Sequence, residues 1–282
     1  MDGRSFFVEM LVSEEVFYWI ESCWGASGFA YNDPIWEILI EQAFQEKIAS
    51  GDINYVRPFC MRLVGQSGSG KTSQLLPATQ AALCANHVPY VSFAVRDFVK
   101  FHPKLEFIVK RYGESLLREK ANAFALILLT NVLLRCISKK IPILLEVTLL
   151  APVYEARIHA ALIANGYRCD YQCLAIPKKV SDDWIQKRFL ETKRVVSQNS
   201  SSFFYDTLAP AFKFLQGISL KNRVFIWDRV HEQPLILDFQ EPNVYDKIEA
   251  ARALEGPFFS PEVSVAAKTK FLCDFYKKHS ID

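Results

Sequence analysis

The residues best suited to chemistry in this 282-residue chain form one glycine-rich segment. It reads Gly65-Gln66-Ser67-Gly68-Ser69-Gly70-Lys71-Thr72 and fits the pattern G-x-x-x-x-G-K-[ST]. Glycines at these positions let the backbone wrap closely around phosphate oxygens, with N–H groups pointing inward. We expect Lys71 to reach the β- and γ-phosphates of a nucleotide and the Thr72 hydroxyl to bind Mg²⁺. The segment therefore predicts a P-loop that binds ATP with Mg²⁺.

The elements around this segment are those that a P-loop requires. An apolar strand is predicted over Cys60–Val64, and a helix is predicted over Gly70–Ala85. The amino terminus of that helix adds a positive partial charge where phosphate would sit. The predicted ATP-binding residues are Gly65, Gln66, Ser67, Gly68, Ser69, Gly70, Lys71, Thr72 and Ser73.

A P-loop alone does not separate a kinase from an ATPase motor or a GTPase. No Asn-Lys-x-Asp segment of the kind that reads guanine occurs in the chain. The third predicted strand, Ile141–Val147, carries Glu146 close to its end, where ATPase motors place an acid. The ATPase interpretation therefore stays open beside the kinase.

A second acidic residue comes at the end of the second predicted strand, Tyr90–Val95. Asp97 lies just beyond this strand, on the ligand side of an open parallel sheet. A kinase needs a carboxylate there to accept the proton of the acceptor hydroxyl. The alternative is an aspartate that only caps a helix.

Strands that alternate with helices predict an α/β fold with a mostly parallel sheet. The predicted class is a P-loop NTPase, three-layer α/β/α, with an N-terminal helical extension. We predict three parts: the extension over residues 1–57, a kinase core over 58–240, and a C-terminal helical segment over 241–282 that packs on the core. Asp33-Pro34 is predicted to open a helix in the extension, and the polar run Ser197–Ser202 is predicted to be a loop.

Composition excludes several classes of partner. The net charge of +2 gives no basic stripe, so no nucleic-acid partner is expected. Seven cysteines without a CxxC pair indicate free thiols in a reducing compartment, which predicts a cytoplasmic protein. The most apolar stretch, Ala123–Ile137, is shorter than the ~20 residues that a membrane span needs. We expect a buried core helix there and no membrane partner.

Segments of this chain, in order, resemble motifs of the zeta-toxin family of bacterial small-molecule kinases. The resemblance runs over about residues 59–238. Its segments are the P-loop with Ser73, Asp97-x-x-Lys100 followed by His102-Pro103, Leu145-Glu146-Val147-Thr148, Gly166-Tyr167 with Ala175-Ile176-Pro177, and Arg188-Phe189-Leu190-Glu191.

The resemblance implies ATP-dependent phosphorylation of a hydroxyl, which in that family belongs to UDP-N-acetylglucosamine. It implies that Asp97 is the general base. It also implies that two lid arginines neutralise transition-state charge, for which we select Arg188 and Arg194. The acceptor is expected to contact Lys100, His102, Glu146 and Thr148.

Departures from the family pattern fall where acceptor or lid contacts would be made. Val147 replaces the glycine of the family's I-E-G-T motif, and Leu150 stands where an arginine is expected. A different acceptor is therefore an alternative, and similar bacterial effectors phosphorylate nicotinamide dinucleotides. The extension is rich in aromatic residues, which predicts either packing on the core or a protein-binding module, and in this family a helical antitoxin acts as inhibitor.

Overall fold

The structure is a computed structural model. It describes residues 27–30, 32–48, 58–148, 152–193, 196, 198–216, 223–228, 230–238, 241–254 and 261–279. Contacts divide the chain into two compact units, a smaller one of residues 1–54 and 91–141 and a larger one of residues 55–90 and 142–282. The three-part division predicted from the sequence stays a prediction.

The described elements alternate between strand and helix along most of the chain. In chain order they are α1 Ile35–Ile48, β1 Phe59–Val64, a π-helical turn Lys71–Leu75 that continues as α2 Leu76–Ala85, β2 Val91–Ala94, a 3₁₀ helix Val95–Phe101, α3 Leu105–Tyr112, α4 Glu114–Ser138, β3 Ile143–Glu146, α5 Pro152–Ala164, β4 Arg168–Leu174, α6 Lys178–Thr192, α7 Gln198–Gln216, β5 Arg223–Trp227, β6 Leu235–Asp238, α8 Val244–Arg252 and α9 Pro261–Lys278.

The larger unit is built on strands β3, β1, β4, β5 and β6, hydrogen-bonded in that order. The first four are parallel to one another, and β6 pairs antiparallel with β5. All six residues of β1 are buried, as expected for a central strand whose two faces are covered by helices. The predicted mostly parallel sheet is confirmed.

Helices cover both faces of this sheet. On one face, Met61 and Leu63 of β1 share a buried core with Leu83 of α2 and with Leu272 and Tyr276 of α9. On the other face, β4 and β5 contact α5, α7 and α8, and the ring of Tyr171 packs edge-on against Phe212 of α7 at 5.5 Å. The predicted three-layer α/β/α arrangement is therefore confirmed within the larger unit.

His159 of α5 is buried and forms a polar contact with β4. The Nδ1 atom of His159 is 2.9 Å from the hydroxyl oxygen of Tyr171, and the Arg62 guanidinium lies 5.5 Å from the Tyr171 ring. Burial, followed by the positive charge of Arg62, lowers the pKa of His159 to about 4. The imidazole is therefore neutral in the folded protein at neutral pH.

This neutral imidazole predicts a loss of stability in acid. An unfolded histidine titrates near pH 6.5, so stability is complete above that pH and is lost as the pH falls toward the folded value of about 4. We expect the free energy of unfolding in urea to fall by up to about 3 kcal/mol from this residue. His159→Gln, which keeps a partner for Tyr171, removes this part of the slope. His279→Gln is the control because His279 is exposed, and an unchanged slope in His159→Gln would contradict the prediction.

The smaller unit is organised around α4. The ring of Phe124 on α4 stacks on Trp36 of α1, with centroids 5.1 Å apart, and contacts Phe29 and His102. Trp36 is almost fully buried. Of the aromatic residues in the N-terminal extension, Phe29 and Trp36 thus pack inside this unit. Those before residue 27 lie outside the described residues.

Helix α4 is the one described helix that is long and apolar enough to cross a membrane by composition, but 72% of its apolar window is buried inside the structure. It is a core helix, as predicted for Ala123–Ile137. The chain breaks at Gly113, just before this helix, with a φ of 76°. Glycine adopts this conformation without steric cost, so α3 ends there and α4 begins directly after it.

The polar run near residue 200 is helical, and the predicted loop is wrong from Gln198 onward. The Ser201 hydroxyl donates to the Asp182 carboxylate at 2.9 Å, which ties the first turn of α7 to α6. Tertiary packing thus overrides the weak helix propensity of the serines.

Candidate functional site

The predicted P-loop follows β1 directly and leads into the π-helical turn. The Lys71 ammonium is mostly buried and donates to the carbonyl oxygens of Gly65 at 2.5 Å and Gln66 at 3.0 Å. Gly65, Gly68 and Gly70 all have positive φ. The loop therefore folds back on its own lysine, and two of its carbonyls hold the positive charge of the ammonium.

Helix α6 lies directly against this loop. A Cβ atom on Gly68 would collide with the backbone oxygen of Ser181 and lie 2.9 Å from Ile185 Cγ1. A Cβ atom on Gly70 would lie 3.6 Å from the Trp184 ring. The Gln66 amide also donates to the Ile176 carbonyl at 2.8 Å, just before α6 begins. Gly68 is thus required by the close approach of α6 as well as by the loop's conformation.

This close approach predicts that Gly68→Ala damages the nucleotide site. Gly68 has φ 77°, and Gly166 has φ 79° with open space around its Cβ position, so Gly166→Ala is a matched control for backbone strain alone. Strain should cost about 1 kcal/mol of unfolding free energy in both variants. Overpacking against α6 should add about 1–3 kcal/mol in Gly68→Ala. ATP affinity, measured by calorimetry, should fall only in Gly68→Ala, and equal affinities in the two variants would contradict this interpretation.

Thr72 and Glu146 meet at the loop. The Thr72 hydroxyl donates to Glu146 Oε1 at 2.5 Å, and Glu146 ends β3, which pairs with β1. A hydroxyl beside a carboxylate suits a hard cation, and Mg²⁺ in kinase sites takes only one or two carboxylates together with substrate phosphates. The described ranges contain no cluster of three metal-binding side chains, and a site of this type needs none. The residues present therefore fit Mg²⁺.

Arg188 lies on α6 one turn beyond Trp184. Its side chain is half-buried, and burial lowers its pKa. Its Nε atom is buried and has no hydrogen-bond partner among the residues that the structure describes. A desolvated guanidinium of this kind is suited to binding an anion. Arg194, the second predicted lid arginine, lies outside the described residues.

Asp97 belongs to the smaller unit, in the first turn of the 3₁₀ helix that follows β2. Its Oδ2 atom accepts the Ala94 backbone N–H at 3.2 Å and pairs with the Lys47 ammonium at 2.8 Å. Its Oδ1 atom has the Arg96 Nε atom at 3.8 Å. Asp97 thus caps its turn through Oδ2, as the alternative interpretation predicted, whereas Oδ1 faces Arg96.

The predicted acceptor residues have different environments. Lys100 forms an exposed ion pair with Glu46 in the smaller unit. His102 is buried, accepts the Lys104 backbone N–H on Nδ1 at 3.1 Å, and lies 4.5 Å from the Phe124 ring. Burial, then the charge of Lys104, lowers the pKa of His102. Thr148 is half-buried in the larger unit, two residues after β3.

The sequence did not single out Lys47. It is the last basic residue of α1, where a lysine is ordinary because it complements the helix dipole. Its partner Asp97 is 50 positions away in the chain. No local motif signals a contact of this range.

The P-loop follows the first strand of a mostly parallel sheet. The helix packed against the glycines of this loop also carries a half-buried arginine. These features define the class of P-loop kinase-like proteins. The model of the zeta toxin family matches residues 46–238, most of the chain. This protein therefore belongs to the zeta toxin family. No curated protein sequence matches the chain.

The first of three similar solved structures supports the fold. A structure described as the PezAT chromosomal toxin-antitoxin system of the human pathogen Streptococcus pneumoniae is similar with a TM-score of 0.65 and 18% identity, over 88% of this chain and 98% of that one. A complex named AvrRxo1-ORF1:-ORF2 has a TM-score of 0.46 and 15% identity, over 86% of this chain and 83% of that one. The same pair with ATP has a TM-score of 0.45 and 14% identity, over 84% of each chain.

Proposed function

We propose that the protein transfers the γ-phosphate of ATP to a hydroxyl of a small-molecule acceptor, with UDP-N-acetylglucosamine as the first candidate. The observation that carries this proposal is the contact of α6 with the P-loop glycines, which places Arg188 on the helix that adjoins the loop. A kinase needs cationic groups around the transferred phosphate because negative charge is spread over its oxygens.

The residues of the larger unit would act on the donor. Lys71, held at the centre of the loop, would exchange its two carbonyl partners for phosphate oxygens. Arg188 and Arg194 would neutralise charge on the transferred group. Thr72, with Glu146 behind it, would hold Mg²⁺, and that ion supplies neutralisation of phosphate charge when it is bound.

The burial and hydrogen bonding of Glu146 favour a role in binding the donor over the predicted role in binding the acceptor. Its carboxylate is mostly buried and is engaged by the hydroxyl of a P-loop residue. Thr148, two residues further along, is the more accessible of the pair. We therefore propose Thr148, together with Lys100 and His102, for the acceptor side, with His102 acting through the turn that its ring holds.

In the proposed reaction Asp97 accepts the proton of the acceptor hydroxyl. The O–H bond breaks, the hydroxyl oxygen bonds to the γ-phosphorus, and the bond from that phosphorus to the β–γ bridging oxygen breaks, so that ADP leaves. The acceptor itself is the finer question, because Val147 and Leu150 depart from the family pattern. A nicotinamide dinucleotide is the alternative acceptor.

The test is incubation with γ-labelled ATP and two acceptor probes, UDP-N-acetylglucosamine and NAD, followed by mass analysis of the products. We expect one labelled phosphate ester whose mass exceeds the acceptor by one phosphoryl group. Lys71→Met is the background control. Release of inorganic phosphate with no labelled ester, stimulated by a protein, would instead support an ATPase that binds a partner through its extension.

We also propose that a protein inhibitor, an antitoxin, accompanies this chain in a bacterial cytoplasm. The support is that the similar solved structure from Streptococcus pneumoniae is named as a toxin-antitoxin system. Copurification of the full chain with a protein that reduces ATP binding would test it. Unchanged ATP binding in the copurified complex would count against an inhibitor acting at this site.

A further inference from the structure

Lys47 makes a network of contacts that exceeds an ordinary surface ion pair. Its ammonium lies 2.8 Å from Asp97 Oδ2 and 2.9 Å from the Ser92 carbonyl oxygen. It also lies 5.7 Å from the ring centre of Phe93 and 5.6 Å from that of Phe98, two rings that stack on each other. The lysine is thus held by an acid, a carbonyl and two aromatic rings at once.

A neighbouring ion pair provides the contrast. Lys100 and Glu46 belong to the same two elements, but their side chains are 56% and 51% exposed. The side chains of Lys47 and Asp97 are 18% and 31% exposed. Exposed pairs contribute little because water and salt screen them, whereas a pair shielded by aromatic rings keeps its geometry.

The contacts of Asp97 divide between its two oxygens. Oδ2 receives the Lys47 ammonium and the Ala94 N–H, so rotation of the carboxylate would break both. Oδ1 faces only the Arg96 guanidinium, at 3.8 Å, among the described residues. The carboxylate therefore has a fixed orientation: Oδ2 is held by Lys47 and the Ala94 N–H, and Oδ1 lies on the side away from Lys47.

We propose that Lys47 is a positioning residue for phosphate transfer. Its ammonium fixes Oδ2 of Asp97, so that Oδ1 is the oxygen that receives the hydroxyl proton of the acceptor. This inference rests on the proposed function. It assigns α1, from the N-terminal extension, to the machinery of the reaction, since a base must be held within a few tenths of an ångström to act efficiently.

The test compares Lys47→Met, Lys47→Arg and the control Lys139→Met. Lys139 also belongs to the smaller unit and lies over an aromatic ring of α1, Phe44, but it forms no ion pair with Asp97. With ATP and whichever of the two acceptor probes yields a labelled ester, we expect Lys47→Met to lower kcat about 10-fold to 100-fold. The Kd for ATP should not change, and Lys47→Arg should restore most of the rate.

A double-mutant cycle separates positioning from general destabilisation. If Lys47 acts through the carboxylate, Lys47→Met should lower kcat no further when Asp97→Asn is already present. Wild-type kcat in Lys47→Met, equal losses in the methionine and arginine variants, or additive losses in the cycle would each overturn the proposal.

The same cycle, measured by thermal unfolding, distinguishes failure of the positioning role of Lys47 from failure of the proposed function. A coupling between Lys47 and Asp97 in stability, with no labelled product from the wild-type protein, would mean that the ion pair exists and that the proposed function has failed, and the positioning role with it. No coupling in stability would overturn the positioning role even if transfer is found.

Discussion

Replacing Asp97 with asparagine should lower the rate of phosphate transfer by orders of magnitude while leaving the fold and ATP binding intact. Asparagine keeps the shape of the side chain and an oxygen that can accept the Ala94 N–H, so the 3₁₀ turn should persist. It has no basic carboxylate, and loss of a general base typically lowers kcat about 10²-fold to 10⁴-fold. Single-turnover transfer from labelled ATP measures the effect, and calorimetry measures ATP binding.

The control for this variant is Glu41→Gln. Glu41 lies in the smaller unit and pairs with Arg135 on the surface, so it loses an ion pair without touching the proposed base. We expect wild-type transfer from it. Full transfer activity in Asp97→Asn would show that Asp97 is only the capping residue of its turn.

Replacing Lys71 with methionine should remove both tight ATP binding and transfer. The ammonium is buried within the loop, where its attraction for phosphate is weakly screened. Removing one preorganised donor of transition-state charge typically lowers kcat about 10²-fold to 10³-fold. Methionine fills a similar volume, so the loop should not collapse. Calorimetric titration with ATP and the labelled transfer assay measure the two effects.

Lys270→Met serves as the control, because Lys270 is exposed on α9 in the same unit. It should bind and transfer as the wild-type protein does. If Lys71→Met bound ATP with undiminished affinity, the loop would hold the nucleotide in a way that the P-loop pattern does not describe.

The two variants test different halves of the proposal. Loss of transfer with ATP binding retained, in Asp97→Asn, identifies the acceptor chemistry. Loss of both, in Lys71→Met, identifies the donor site.

The fold and the donor loop were predictable because their signals are local. The P-loop pattern occupies consecutive residues between an apolar strand and a helix, and β1, β3 and β5 are short, mostly apolar runs. Asp33 at the start of α1 is equally local: its carboxylate accepts the Ile35 N–H at 3.0 Å. Such features depend on neighbours in the chain.

The remaining features depend on contacts between distant residues. The Lys47–Asp97 pair, the contact of α6 with Gly68, and the bond from Ser201 to Asp182 all join residues that no short pattern connects. The division of Asp97 between an oxygen that accepts the Ala94 N–H and one that faces Arg96 is a matter of side-chain geometry. Arg194, the second predicted lid arginine, lies outside the described residues, and the identity of the acceptor depends on a bound ligand.

The packing of α9 has a consequence for the order in which this protein folds during synthesis. Tyr276 is buried, its hydroxyl oxygen accepts from the Gln172 amide at 3.0 Å, and it lies 215 positions after Met61 of β1, the strand that leads into the P-loop. A ribosome-bound chain can therefore display the complete loop sequence long before the helix that supports β1 and α2 has emerged. Native contacts of such long range form late. The core that holds β1 and α2 in place is therefore complete only after α9 has been synthesised.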